Sequence, residues 1–244
     1  LRKRKGREQK PFAVMFRDLH AVRSYCEVSE PGEELLMSWR RPIVLLKQRN
    51  PLADAVSNGL GTIGAVLPYM PVHHLIFRKL NTSALVFTSG NMADDPVITG
   101  DEDARRLLGA VTENFLTYNR EIVNRADDSV VEVAAGKVCL IRRSRGYVPE
   151  PVDLDVSAEG ILAFGAEQKN CFCIGKENQA LMGQHIGDLK GRETHSFYVG
   201  AMEQFIRLFR FSPRLVVCDK HPEYLSSVLA VQWAEEKKLP LIRV

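Results

Sequence analysis

Short apolar runs that stop on polar clusters recur along this chain: Phe12–Phe16, Ile43–Leu46, Leu85–Phe87, Phe115–Tyr118, Val130–Val133 and Val138–Ile141. Runs this short suit buried strands better than helices. Helical patterns lie between them. Thr99 and Glu102 have capping-box spacing and open a helix over "DARRLLGAV". "EVAAGKVCLIRR" reads as a hairpin turning near Gly136. Short strands interleaved with helices make an α/β fold, in which helices cover a sheet.

A second set of elements begins at Ile161. "ILAFGAEQKNCFCIG" reads as strand, polar turn, strand, and "QALMGQHIG" joins a second strand pair. Phe197, Ala201, Phe205, Leu208 and Phe209 follow a helical period. "RLVVCDKHPEY" reads as a strand ending in a polar cluster, and "SSVLAVQWAEEKKLPLIRV" as helix, loop and final strand. That order predicts a parallel α/β sheet. "GYVPEPVDLDVSAEG", with two prolines and several acids, reads as a linker. The expected domains are therefore 1–151 and 161–244, joined by 152–160.

Composition narrows the chemistry. With 244 residues, 45% of them hydrophobic, the chain can bury a sizeable core. A net charge of +3 is too small to argue for nucleic acid by itself. The basic opening, "LRKRKGREQK", is the exception, and alone it reads equally as a functional basic segment or as a solvated helix face or frayed terminus. Five cysteines without a partner pair at ligand spacing predict no metal site and a reducing, cytoplasmic setting. No apolar run approaches the roughly 18 residues of a membrane helix.

Two glycine motifs compete for a functional role. "GLGTIG" (Gly59, Gly61, Gly64) matches a dinucleotide fingerprint, but that site needs a following helix, and Pro68 and Pro71 intervene. "ALVFTSGN" is the better candidate. A strand that ends in small polar residues around a glycine is a ligand edge in open α/β sheets. Ser89 offers a hydroxyl and Asn91 an amide, while the competing reading is an Asx turn. Lys5 and Arg7 in "KGR", with Arg143 and Arg145 alternating in "RRSRG", supply cations for a phosphate ester.

Lys5-Gly6-Arg7 with Ser89-Gly90-Asn91 resembles the K-x-R and S-x-N signature of YrdC-like domains. "KPFAVMF", "LPYMPVHHLIF", "LVFTSGN", "NREIVNRADDSVV" and "RRSRGYVPEP" are similar to HypF-type carbamoyltransferases of [NiFe]-hydrogenase maturation. "GAEQKNCFC", "QHIGDL" and "CDKHPEYLSS" resemble the start of that family's second catalytic domain. The implied fold is a YrdC-like twisted mixed sheet with helices, followed by a partial actin/sugar-kinase-like (ribonuclease-H-like) α/β domain.

The resemblance implies ATP with Mg²⁺, carbamoyl phosphate as substrate, carbamoyl adenylate as intermediate, and the C-terminal cysteine of HypE as acceptor. Ser89 and Asn91 would be catalytic. Lys5, Arg7, Arg143, Arg145, Lys169, Glu167, His185 and Asp188 would hold nucleotide and phosphates. His73, Arg120, Arg125, Asp127 and Asp128 are further candidates, the paired aspartates for Mg²⁺. For His73 the competing reading is a histidine packed under a strand. Family chains carry further N-terminal domains and a later histidine-rich motif, so the chain is expected to be a fragment, with zinc or iron only in the full-length family. Rival readings are a threonylcarbamoyl-adenylate synthase, against which the second segment speaks, and an RNA-binding module, against which the modest charge speaks. Neither nucleic acid nor membrane is an expected partner.

Overall fold

A computed structural model of the chain describes residues 1–7, 10–92 and 95–244. It divides into two compact units. The first takes Leu1–Gly90, Ala110–Glu113 and Asp128–Tyr147; the second takes Asn91–Gly109, Asn114–Asp127 and Val148–Val244.

The first unit contains β1 (Ala13–Phe16), α1 (Leu19–Tyr25), α2 (Glu30–Met37), β2 (Ile43–Lys47), α3 (Asp54–Ser57), β3 (Thr62–Val66), α4 (Pro71–Lys79), β4 (Ala84–Phe87), β5 (Val130–Ala134) and β6 (Lys137–Arg142). Its sheet has the order β4-β1-β3-β2-β5-β6 and is mixed: β1 runs parallel to β3 and β2 to β5, and the other pairs are antiparallel. The inner strands are apolar because both faces are covered, and Phe16, Val44 and Ala65 are wholly buried. Helix starts follow local chemistry. Asp18 accepts the Ala21 N–H at 2.8 Å to cap α1, and Pro71 opens α4 without losing a needed donor.

"GLGTIG" is not a phosphate loop. Gly59 sits in a turn at φ +81°, and Gly64 lies inside β3. A Cβ on Gly64 would stand 2.9 Å from Ile43 Cγ2 on β2, so this glycine serves strand packing. The hairpin near Gly136 forms as expected, with Ala135 and Gly136 both at positive φ, as a two-residue turn of this twist requires.

The second unit contains α5 (Asp101–Leu108), β7 (Val152–Asp153), β8 (Ile161–Ala163), β9 (Cys173–Lys176), β10 (Gln179–Met182), α6 (Arg192–Leu208), β11 (Leu215–Cys218), α7 (Leu225–Lys237) and β12 (Leu241–Arg243). Its sheet has the order β12-β11-β8-β9-β10-β7. The parallel pattern expected from the sequence holds for β8, β11 and β12, while β9, β10 and β7 join antiparallel. Its core gathers Leu162, Phe164, Phe172, Ile174, Tyr198 and Met202.

Three local expectations change. Phe115–Tyr118 is irregular chain rather than a strand, and Leu116 is 80% exposed. α5 starts without a capping box: Gly100 is its N-cap, and Asp101, Glu102 and Asp103 instead place negative charge against the positive end of the helix dipole. Residues 152–160 do not hang free. Val152 and Asp153 pair with β10, and the Ala158 N–H donates to Glu177 O at 2.8 Å. Ala158 also packs so close to Gly175 that a Cβ there would stand 2.0 Å from its carbonyl.

Candidate functional site

In the first unit the two quoted motifs meet. β4 ends at Phe87, and Thr88 and Ser89 follow it off the sheet edge. "KGR" is a tight turn with Gly6 at φ +60°, and it carries two cations to that same strand end. Lys5 Nζ donates to Ser89 O at 2.7 Å and to Thr88 Oγ1 at 3.4 Å. Arg7 Nη1 reaches the same Thr88 Oγ1 at 3.4 Å, and its guanidinium stacks 5.1 Å from the Phe12 ring centroid. Lys5 is only 3% exposed. Burial lowers its pKa, and Arg7 lowers it further. Two cations at one strand end, one of them short of water, form a site whose electrostatics favour an anion. Thr88 was not among the expected site residues, although it lies inside the motif.

A second group in this unit surrounds Tyr69. The His73 ring stands edge-on to Tyr69, with centroids 4.7 Å apart, and 6.0 Å from Phe87. His73 Nδ1 accepts the Tyr69 backbone N–H at 3.4 Å. His73 therefore sits at the start of α4 and packs in an aromatic cluster with Tyr69 and with Phe87 of β4. Burial lowers its pKa; Asp128 opposes that, and His74 and Arg145 add to it.

The arginines expected to line one face of a strand do not, because β6 ends at Arg142. Arg143 is half-buried beyond it. Arg145 is turned into the protein. Its Nε and Nη2 donate to Asp128 Oδ1 at 2.9 and 2.7 Å, and its Nη1 and Nη2 to the carbonyls of Arg40 and Arg41 at 3.1 and 2.9 Å. Its guanidinium lies 3.7 Å from the Tyr69 ring centroid.

In the second unit "GAEQKN" and "QHIGDL" lie side by side. Asn170 N donates to Gly187 O at 2.9 Å, Ile186 N to Asn170 O at 2.8 Å, and Lys169 N to Asp188 Oδ1 at 2.9 Å. Lys169 itself is exposed and sits at φ +48°. Gly165 lies where a Cβ would meet Cys171 O at 2.4 Å, so glycine serves the close approach of the chain there. Glu167 is buried, and its Oε2 accepts the Leu225 N–H at 2.7 Å, placing a carboxylate on the first amide of α7.

A pocket in the second unit brings together candidates far apart in sequence. It is lined by Asp95, Arg125, Asp127, His185 and Phe197 with Pro96, Val97 and Ile186. Arg125 stacks 5.3 Å from the Phe197 ring centroid. Gln184, 4% exposed, donates to Asn124 Oδ1 at 3.0 Å and to Arg125 O at 3.4 Å, which anchors that wall. Asn91 Nδ2 donates to Asp95 O at 2.6 Å. Arg120 is exposed on irregular chain.

Asp127 lines this pocket in the second unit, while Asp128, in the first unit, pairs with Arg145. Among the described residues no group of three His, Cys, Asp or Glu side chains is placed to hold a metal ion. No helix among them is long and apolar enough to cross a membrane.

Comparison with known proteins extends this geometry. The Sua5/YciO/YrdC family model, described as "Telomere recombination", matches residues 1–144, and the "HypF Kae1-like domain" model matches 156–244. The chain is 40% identical over 251 aligned residues to the carbamoyltransferase HypF of Rhizobium leguminosarum bv. viciae, covering 100% of the chain and 32% of that protein. It is 38% identical to that of Synechocystis, covering 99% of the chain and 31% of the relative. It superimposes with a TM-score of 0.93 on a crystal structure of full-length HypF in the phosphate- and nucleotide-bound form, at 43% identity, covering 100% of the chain and 38% of that structure. The chain thus spans about a third of the length of the curated relatives it matches.

Proposed function

The chain belongs to the HypF carbamoyltransferase family, and from that premise we propose that residues 1–151 use ATP to activate carbamoyl phosphate as carbamoyl adenylate. Carbamoyl phosphate must first lose its phosphoryl group to water, giving carbamate and inorganic phosphate; a carbamate oxygen then attacks the α-phosphorus, the bond to the β-phosphate breaks, and pyrophosphate leaves. Negative charge gathers on phosphate oxygens, so catalysis rests on positioning and on preorganised cations. The observation that carries this reading is the convergence of Lys5 and Arg7 on the Thr88–Ser89 end of β4. Lys5 and Arg7 bind phosphates there, with Ser89 and Asn91 orienting the α-phosphate or carbamoyl end. Mg²⁺ would enter on the nucleotide.

Residues 161–244 then belong to the domain that passes the carbamoyl group to the C-terminal cysteine of HypE. Lys169, His185 and Asp188 share its loop cluster, and Arg125 and Asp127 join His185 in its pocket. The nucleotide-bound HypF structure is in keeping with ATP use.

The test is pyrophosphate release from ATP, with and without carbamoyl phosphate, beside Ser89→Ala. Release that needs carbamoyl phosphate and is lost in the variant is the expected result. Release indifferent to both would overturn the assignment. Threonine with bicarbonate should not replace carbamoyl phosphate.

A further inference from the structure

Thr88 lies outside the Lys5/Arg7 and Ser89/Asn91 pairs, yet it stands where they converge. Lys5 Nζ and Arg7 Nη1 both reach its Oγ1, each at 3.4 Å. Charge-assisted hydrogen bonds usually close to about 2.7–2.9 Å. The hydroxyl thus holds the two cations loosely, at a distance that an arriving oxyanion would improve on.

The hydroxyl proton is the informative group. Two cations beside the oxygen occupy its lone-pair side and repel its hydrogen, so the O–H turns away from both. Among the described residues, Thr88 Oγ1 accepts from both cations and donates to no group in the chain. The cations themselves are braced from behind. Lys5 gives an N–H to Ser89 O at 2.7 Å, and Arg7 gives Nε and Nη2 to the carbonyls of Lys10 and Pro11 at 3.2 and 2.9 Å. The Phe12 ring supports the guanidinium of Arg7.

The backbone between the two cations is open. Gly6 takes φ +60°, and a Cβ there would meet nothing within 4 Å. Thr88 is itself half-buried, and it follows β4, the outermost strand on its side of the sheet. Two positive groups and one neutral O–H therefore gather at an accessible strand end. A phosphate, with several terminal oxygens set tetrahedrally, can take a donor from each.

We propose that Thr88 is a third phosphate-binding group of this site: its O–H donates to a terminal oxygen of the phosphate that Lys5 and Arg7 hold. This rests on the reading of the Lys5–Ser89 site given above. It adds to that reading a neutral donor, which orients the phosphate without adding charge.

The test is the affinity of the chain for inorganic pyrophosphate, the leaving group of the proposed reaction, measured by titration calorimetry with no turnover. Thr88→Val replaces the hydroxyl with a methyl at nearly equal size, and Thr88→Ser keeps the hydroxyl without the methyl. A hydrogen bond to a charged partner is worth on the order of 10- to 100-fold in affinity. Thr88→Val is expected to lose that much, and Thr88→Ser to bind much as the unaltered protein does. Full affinity in Thr88→Val would overturn the proposal. So would a serine variant as weak as the valine one, because the methyl rather than the hydroxyl would then matter.

Lys5→Met, titrated alongside, separates two kinds of failure. If it keeps full affinity, no anion is held at this strand end, and the reading of the site falls together with the inference. If it loses affinity while Thr88→Val does not, only the role of Thr88 falls. Thermal unfolding of each variant without pyrophosphate is measured first. Thr88→Ala replaces a valine variant that does not unfold cooperatively, and it carries the same expectation.

Discussion

Lys5 Nζ lies 2.7 Å from the carbonyl oxygen of Ser89, joining the first turn of the chain to the end of β4. A buried ammonium held by one carbonyl and one hydroxyl is poorly compensated, which is why burial lowers its pKa. An arriving phosphate would supply the missing counter-charge. Lys5→Met should therefore cost roughly 100- to 1,000-fold in the rate of adenylate formation, the range for losing one preorganised donor to a developing oxyanion. It should leave the unfolding temperature little changed, because an unfavourably buried charge goes with the bond. ATP–pyrophosphate exchange and thermal unfolding measured side by side check this, and a large loss of stability with retained exchange would contradict it.

The lowered pKa of His73 carries a stability signature. Between its folded value and the ordinary value of 6.5, the unfolded chain binds the proton and the folded chain does not. Stability therefore falls as pH drops from about 6.5 through the folded pKa. His73→Asn should flatten the dependence of the denaturation midpoint in that window. Urea midpoints at a series of pH values for both proteins test this. An unchanged slope would mean that His73 is as accessible to protons in the folded state as in the unfolded one.

What could be read from the residues alone was mostly local. The apolar run before "TSG" reads as a strand, and it is one, whereas the burial of Lys5 against a carbonyl and a hydroxyl is not legible in "KGR". The left-handed turn at Gly136 follows from a glycine between two strand patterns. The division of Asp127 from Asp128 could not be read, because adjacent residues point apart according to which distant partner arrives: Arg145 in one case, the pocket around His185 in the other. The same holds for Gly165, where a Cβ would meet Cys171 six residues on, and for Val152–Asp153, which is strand only because β10 offers an edge. Arg145 looked like a ligand arginine because charge alone does not reveal that two backbone carbonyls await it.

Glu167 shows how a family motif residue can carry structural work. Its carboxylate accepts the first amide of α7, where Tyr224, the N-cap residue, makes no side-chain cap bond. Glu167→Ala should cost about 1–2 kcal/mol, the usual loss for a removed cap. At about 2–4 °C per kcal/mol for a protein of this size, the shift is measurable by calorimetry. Glu167→Gln, which keeps an oxygen acceptor but no charge, should recover part of it. If the alanine variant melts with the unaltered protein, the carboxylate is free for a ligand.

Cys26 offers a probe of the first unit's core. It is 1% exposed beside Val22, Leu36 and Val44, and burial pushes its thiol up to about 11. At pH 8 only about one molecule in a thousand would carry the thiolate, against roughly a quarter for an ordinary cysteine. Cys139, on the edge strand β6, is partly exposed. Iodoacetamide at pH 8 should therefore modify Cys139 promptly and Cys26 only when the core opens, with a rate that climbs with urea along the unfolding curve. Peptide mass analysis across a time course separates the two sites. Equal rates in native buffer would mean that the α1–β2 packing around Cys26 opens readily, and the fold assigned to the first unit would have to be revised.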